Sequence, residues 1–408
     1  MRLLFLNRSF WPDLEATGQL LTELCVDLSR CHDVTVVAGP SYHLPPAGAA
    51  LWQRDAIGSV QILRTWGTRF SKERLSARLV NLGSYYLLAA VGALRLPRPD
   101  VVIAETDPPL LGLLGSALKA RWRCAFVYYC QDIYPDITDV SGALRNPLLL
   151  ALLARANRRA YASADRIVVL GDDMRRRLLQ KGVATEKITV LPNWVDCDAI
   201  RPLASNPFRA QFGDAFVVMY SGNLGLSQQL ETLLDAARQL RDDKRVLFVF
   251  IGEGARKAWL QESARRDGLH NVRFFPYQPK ERLSESLGAA DLHLIPLQAG
   301  AAGCLVPSKV YGILAAGRPF VAMMEDGTDV AALAREFRVG FVSPPGNVSR
   351  LVEAIHEAVA NPAELAAMGS RARALAEQRF HRPLLTQQFA ALMQGLQLPQ
   401  GSSARRCG

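Results

Sequence analysis

Short apolar runs recur along this chain, and polar stretches with helical periodicity separate them. In the first half the runs are 3–6, 34–38, 60–63, 101–104, 125–129, 167–170 and 188–191. Most of their residues are apolar, as a strand buried on both faces requires. Turn or capping residues bound them, among them Asn7, Gly39, Asp100, Gly171 and Pro192-Asn193. Helical stretches such as 22–30 and 147–160 lie between several of the runs. This alternation predicts a doubly wound α/β fold with a parallel sheet.

The pattern restarts after Arg201-Pro202. A strand at 216–220 leads into Ser221-Gly222-Asn223-Leu224-Gly225 and a helix at about 228–240. A strand at 246–251 leads into Gly252-Glu253-Gly254 and another helix, and runs at 272–275, 292–295 and 320–323 continue the series. With 408 residues the chain is too long for one ordinary core, so two Rossmann-like domains are expected. The expected order is a first domain at 1–195, a linker at 196–214, and a second domain at 215–380. A C-terminal helix at 381–400 would then return to the first domain, and GSSARRCG at 401–408 reads as a frayed tail. Two such domains would face one another across a cleft, with ligands beyond the carboxyl ends of the strands.

Composition narrows the function little. Apolar residues make up 49% and charged residues 21%, a globular balance that excludes a largely disordered or fibrous chain. The formal charge of +10 divides evenly, with 24 basic and 19 acidic residues in each half. Locally it does not. From Arg64 to Arg98 there are seven basic residues and one acid, Glu73. A basic excess suits nucleic acid, an anionic membrane or phosphorylated substrates. No RNA-binding signature, helix-turn-helix or zinc finger is visible, so no nucleic-acid partner is expected. The seven cysteines form no C-x-x-C pair, which fits a reducing compartment and neither a disulfide scaffold nor a zinc site. The N-terminal apolar run is too short for a signal peptide, and the uncharged stretch 79–94 is shorter than a membrane span. A cytoplasmic protein, peripheral on the plasma membrane, is the expectation.

The candidate chemistry lies after strands. Ala16-Thr17-Gly18-Gln19 runs into a helix, where a glycine serves either backbone approach to a phosphate or a helix cap. Gly222 and Asn223 occupy the same topological place in the second half, and Glu253 follows the next strand. The strongest segment is Gly300–Pro319. A small-residue loop through Gly303, Cys304 and Leu305 leads past Pro307 and Ser308 into a helix with Lys309 in its first turn. A cation there opposes the helix dipole, so it is either a solvated side chain or the partner of a bound anion such as pyrophosphate. Asp132, in Gln131-Asp132-Ile133-Tyr134-Pro135, could orient a substrate, accept a proton or cap the next segment. Glu105, after another strand, is a weaker candidate for binding hydroxyls. No G-x-G-x-x-G is present after the first strand, which argues against a nicotinamide dinucleotide site.

These segments resemble glycosyltransferase family 4, in its colanic-acid and O-antigen branch. The resemblance rests on FWPDLEATGQLLTELCVDLSRCHDVTVVAG at 10–39, YYCQDIYPDI at 128–137 and VLPNWVD at 190–196. It continues through MYSGNLGLSQQLETLLDAA at 219–237 and LVPSKVYGILAAGRP at 305–319. It implies a GT-B fold and a nucleotide-diphosphate sugar held mainly by the second domain. It implies an acceptor on the first domain and transfer with retention, with neither a metal nor another cofactor. On that footing Gly18, Asn223, Lys309, Ser308 and the backbone from Gly303 to Leu305 would hold the pyrophosphate. Glu253 and Tyr277 would lie near ribose and base. The chain departs from the wider family at three places. The two family glutamates would fall at Cys304 and Gly312, the usual Arg and Lys at Asn223 and about Gln228, and the usual His at Gln131. Lys309 is then the replacement cation.

Two other readings compete: a nucleotide-sugar epimerase on the same scaffold, and a non-catalytic subunit of a polysaccharide complex, which the missing glutamates motivate. A polyprenyl-diphosphate-linked acceptor would keep the protein at an anionic membrane. The stretch 64–98, with Trp66, Phe70, Tyr85 and Tyr86 beside Arg69, Lys72, Arg74 and Arg78, is the expected contact.

Overall fold

The computed structural model describes residues 1–13, 15–41, 50–68, 70, 75–142, 144, 146–225 and 228–396. The tail at 401–408 lies outside the described residues, as do Arg69, Lys72, Arg74 and the side chain of Arg78. The chain forms two compact units. One holds residues 1–139, 144–192 and the described chain from Thr386; the other holds 140–143 and 193–385.

The first unit contains β1 (Arg2–Leu6), β2 (Asp33–Ala38), β3 (Trp52–Ile57), β4 (Val60–Thr65), β5 (Val101–Ala104), β6 (Ala125–Cys130), β7 (Arg166–Val169) and β8 (Ile188–Val190). They form one sheet in the order β3-β4-β2-β1-β5-β6-β7-β8, and only β3 against β4 is antiparallel. The second unit contains β9 (Phe216–Ser221), β10 (Val246–Ile251), β11 (Val272–Phe275), β12 (Leu292–Pro296), β13 (Phe320–Met323) and β14 (Gly340–Ser343). Its sheet runs β11-β10-β9-β12-β13-β14, all parallel. Every residue of β6 and β10 is buried, because helices cover both faces of such sheets.

The apolar runs match the central strands and the edge strands β8 and β11, while the two unpredicted strands, β3 and β14, are both edges. β3 reads WQRDAI and carries three polar residues in six, since one side of it meets solvent; it joins β4 through a hairpin with Gly58 at φ +55°. β14 is only four residues, GFVS. The first helix begins at Ala16 rather than 22, so Gly18 lies inside its first turn instead of in the loop before it.

The stretch expected as a linker is packed into the second unit. Val195 donates to Phe380 O and accepts from Arg382 N–H, both at 2.9 Å. The Arg373 guanidinium donates to the carbonyls of Cys197 and Ile200. Phe208 and Phe212 stack edge-on against Phe275. The helix Arg382–Gln394 carries Phe389 back to the first sheet, 6.5 Å from Phe5 and 5.4 Å from Tyr129 between ring centroids.

No described helix is long and apolar enough to cross a membrane. In the helix Leu75–Leu94, Tyr85, Ala89 and Ala93 are buried, and Tyr85 Oη donates to Val37 O. Tyr85 is therefore a core residue rather than an interfacial one. Val80, Leu87 and Leu94 stay exposed, as do Trp66 and Phe70.

Candidate active site

Strand order across each sheet switches sides once, β1 lying between β2 and β5, and β9 between β10 and β12. Loops at the carboxyl ends of strands flanking such a point are where open α/β sheets bind ligands. Glu105 follows β5, Asp132 follows β6, Gly222 and Asn223 follow β9, Glu253 follows β10, and the 297–308 loop follows β12.

In the second unit the loops after β9 and β10 interlock through backbone. Gly222 N–H donates to Ile251 O, Leu224 N–H to Glu253 O and Arg256 N–H to Leu224 O, at 2.8–2.9 Å. The contact is so close that side chains are excluded. A Cβ on Gly252 would lie 2.0 Å from Gly222 O, and one on Gly254 would lie 2.4 Å from Leu224 O. Both glycines also sit at strongly positive φ, +148° and +153°. Gly252→Ala should therefore destabilise the protein by about 2–5 kcal/mol, from overpacking against backbone together with φ strain. Urea unfolding checks this, and a loss below about 1 kcal/mol would mean that the loops separate easily.

That interlock leaves room beside Gly222, and Lys309 fills it. Lys309 opens the helix Lys309–Ala315, and its Nζ would be 3.1 Å from a Cβ on Gly222. The ammonium lies over the Tyr220 ring, 4.0 Å from the centroid, and Tyr220 Oη is tied to Asn223 O at 2.7 Å. Among the described residues no carboxylate or carbonyl partners Lys309. Desolvation lowers its pKa to about 7. An ammonium held there against its own desolvation, over a ring face, is suited to receive an anion.

The neighbours divide by what they already bond. Ser308 precedes the helix, and its side chain makes no capping hydrogen bond. Cys304 is fully buried and its N–H donates to Ala301 O at 2.9 Å, so neither its thiol nor its N–H is free for a phosphate, against expectation. Gly303 adopts φ +69°, and Leu305 is half-buried. Glu253 is exposed and paired with Lys257 at 2.6 Å. Tyr277 is exposed beside Gly252, 3.5 Å from where its Cβ would be. At Gly312, the second missing glutamate, a Cβ would meet Leu287 Cδ1 at 3.2 Å. Both glutamate positions thus face packed protein.

In the first unit, three strand-end loops meet around Thr106. Its hydroxyl accepts from the N–H groups of both Gln131 and Asp132, each at 3.1 Å, which locks the loop after β6 to the loop after β5. Asp132 is half-buried, and desolvation, aided by the Asp107 charge, pushes its pKa up to about 7. Asp107 is itself paired with Arg8 from the loop after β1, at 3.1 Å. Glu105 corrects the expectation that it meets hydroxyls. It is 1% exposed, burial drives its pKa well above the carboxylate range, and Oε1 accepts from Gln131 Nε2 at 3.3 Å. It supports Gln131 from beneath. Gly18 also has a packing reason: a Cβ there would lie 2.6 Å from Ser9 Oγ and 3.3 Å from Phe10 N.

Arg8, Thr106, Asp107 and Tyr220 were not singled out from the sequence. Each stands at a strand end or within three residues of one, so a systematic reading of those positions would have found them. Their partners, up to 99 residues away, were not visible.

Residues 16–194 match the Glycosyl transferase 4-like domain, and residues 205–375 match Glycosyl transferases group 1. The chain is 27% identical over 412 residues to the colanic acid biosynthesis glycosyl transferase WcaI of Escherichia coli (strain K12), spanning 95% of this chain and 98% of that one. It is 29% identical over 337 residues to the glycosyltransferase WbjE of Pseudomonas aeruginosa, spanning 80% and 83%. Among solved structures, Anabaena HepE in complex with UDP aligns with a TM-score of 0.73 at 18% identity, over 97% of this chain and 100% of that one. WaaG, a glycosyltransferase involved in lipopolysaccharide biosynthesis, aligns at 0.70 and 17%, over 97% and 100%. Two parallel-sheet units of this topology make the fold GT-B. With both halves matched and the relatives spanning nearly its whole length, the chain belongs to glycosyltransferase family 4, as an enzyme of polysaccharide biosynthesis of the colanic-acid and O-antigen type.

Proposed function

We propose that this glycosyltransferase takes its sugar from a UDP- or GDP-sugar and transfers it, with retention, to a lipid-linked glycan at an anionic membrane surface. The observation that carries the donor assignment is Lys309, an ammonium over Tyr220 beside the glycine interlock, with no carboxylate or carbonyl partner among the described residues. The HepE complexes with UDP and with UDP-glucose support a nucleotide donor.

In this reading Lys309 meets the pyrophosphate, with Ser308, the Gly303 and Leu305 backbone and the Gly222-Asn223 loop around it. Tyr277 and Glu253 border the nucleoside. The bond from the anomeric carbon to the β-phosphate oxygen breaks, and the bond to the acceptor oxygen forms on the same face. The ammonium stabilises charge growing on the departing diphosphate. Asp132, near-neutral in pKa, takes up the acceptor's proton or orients that hydroxyl. The Arg8–Asp107 pair and Thr106 hold its loop in place.

Thermal melting against a panel of UDP- and GDP-sugars tests the donor. A shift with one nucleotide series is expected, since a ligand held by the native state alone raises its stability. No shift with any of them would overturn the reading. Turnover of donor alone to an isomer would move the protein to the epimerases instead.

A further inference from the structure

The helix Pro147–Ser163 is built oddly for a cover on a parallel sheet. It starts firmly, with the Asn146 side chain accepting from the N–H groups of Leu148 and Leu149 and Pro147 in the first turn. Its last turns pack inward. Asn157 Oδ1 accepts from Tyr128 Oη at 3.0 Å, and the Tyr161 ring lies 5.6 Å from that of Tyr128. Its first turns do not. Leu148 is 79% exposed, Leu149 43% and Leu152 62%. Along the same outward side follow Arg155, Arg158 and Arg159, all exposed. None of the three makes an ion pair or hydrogen bond among the described residues. Three large aliphatic side chains in water, followed by three unneutralised guanidinium groups, have no structural account within the unit.

We infer that this face of the helix Pro147–Ser163 is a docking surface for an anionic lipid bilayer, with the leucines entering the acyl boundary and the arginines meeting the headgroups. Charge decides the occupant. A second copy of the chain would set arginine against arginine, while an anionic interface supplies the missing countercharge along the whole row. The position also suits the enzyme. A crossover helix runs antiparallel to its strands, so the leucines sit at the end of the sheet where Asp132 follows β6. The inference deepens the lipid-linked acceptor reading and rests on it for purpose, but the binding itself needs no donor or acceptor.

The test is sedimentation of the whole protein with vesicles of phosphatidylglycerol or phosphatidylcholine, at low and high salt, with melting in the presence of UDP as a control on fold and donor site. Wild type should sediment with phosphatidylglycerol at low salt and be largely released at high salt. L148S/L149S/L152S should lower the bound fraction at least tenfold, and R155Q/R158Q/R159Q should abolish the preference for the anionic lipid. These residues are exposed, so both variants should melt like wild type. L87S, on the exposed side of the helix Leu75–Leu94, should bind like wild type. Four outcomes would overturn the inference: no wild-type binding at low salt, undiminished binding by the leucine variant, loss of binding through L87S alone, or a lipid-free dimer that the leucine variant dissociates. A UDP shift that survives in wild type while vesicle binding fails would refute the docking surface and leave the donor reading standing.

Discussion

Lys309→Met should leave the protein folded and weaken its affinity for the nucleotide-diphosphate sugar roughly ten- to hundredfold. The loss is that of a charge-assisted contact, on the order of 1.5–3 kcal/mol. The pH dependence makes the experiment sharper. Desolvation lowers the Lys309 pKa to about 7 in the free protein, against about 10.4 in an unfolded chain. Between those values the unfolded state binds more protons, so this group makes the ligand-free protein more stable as pH rises from about 7 to about 10. A methionine carries no such penalty, so at pH 7 the variant should melt at or above wild type, less the lost contact with Tyr220. A bound diphosphate raises the pKa of the ammonium again. Binding therefore takes up a proton above pH 7, and wild-type affinity should fall as pH climbs from about 7 to 9 while that of the variant stays flat. Titration calorimetry at several pH values reads both effects. Equal affinities and parallel pH curves would remove Lys309 from the donor site.

Asp132→Asn should cut kcat by about a hundredfold or more and change donor KM only a few-fold, because it keeps the shape and removes the charge. Again the stability sign separates function from structure. The Asp132 pKa is pushed up to about 7, against about 3.9 unfolded, so the native state binds more protons and stability falls as pH rises between the two. Above pH 7 the asparagine variant should melt higher than wild type while being far slower. The rise of kcat through about pH 7 expected of wild type should vanish in the variant. Equal kcat in the two proteins would make Asp132 a structural residue.

These two residues were legible for different reasons. Lys309 stood out because a cation in a helix's first turn, after a loop of small residues, contradicts the helix dipole unless something answers it. Asp132 stood out only as a carboxylate after a strand, no different on paper from Glu105. Burial separates them. Glu105 is sealed under Gln131, where burial pushes its pKa well up, whereas Asp132 stays partly open with its loop held by Thr106. Gly18 reads two ways on paper for a related reason. A glycine near a strand-to-helix junction looks the same whether it admits a phosphate or a neighbouring backbone, and here Ser9 occupies the space.

By itself the sequence determined the fold class, nearly all the central strands and the loops on which a site could be built. Buried parallel strands need continuous apolar runs, and strand-end loops need glycine and polar residues. Those are local demands that local composition records. The edge strands β3 and β14 escaped, because a half-solvated strand needs no apolar run. Only the tertiary structure decided which groups are charged, which N–H groups remain free and which leucines stay in water. Desolvation at Lys309 and Asp132, the 2.0 Å approach that forbids a side chain at Gly252, and the uncovered first turns of Pro147–Ser163 all arise between residues far apart in the chain. Their energies depend on distances that no stretch of sequence carries.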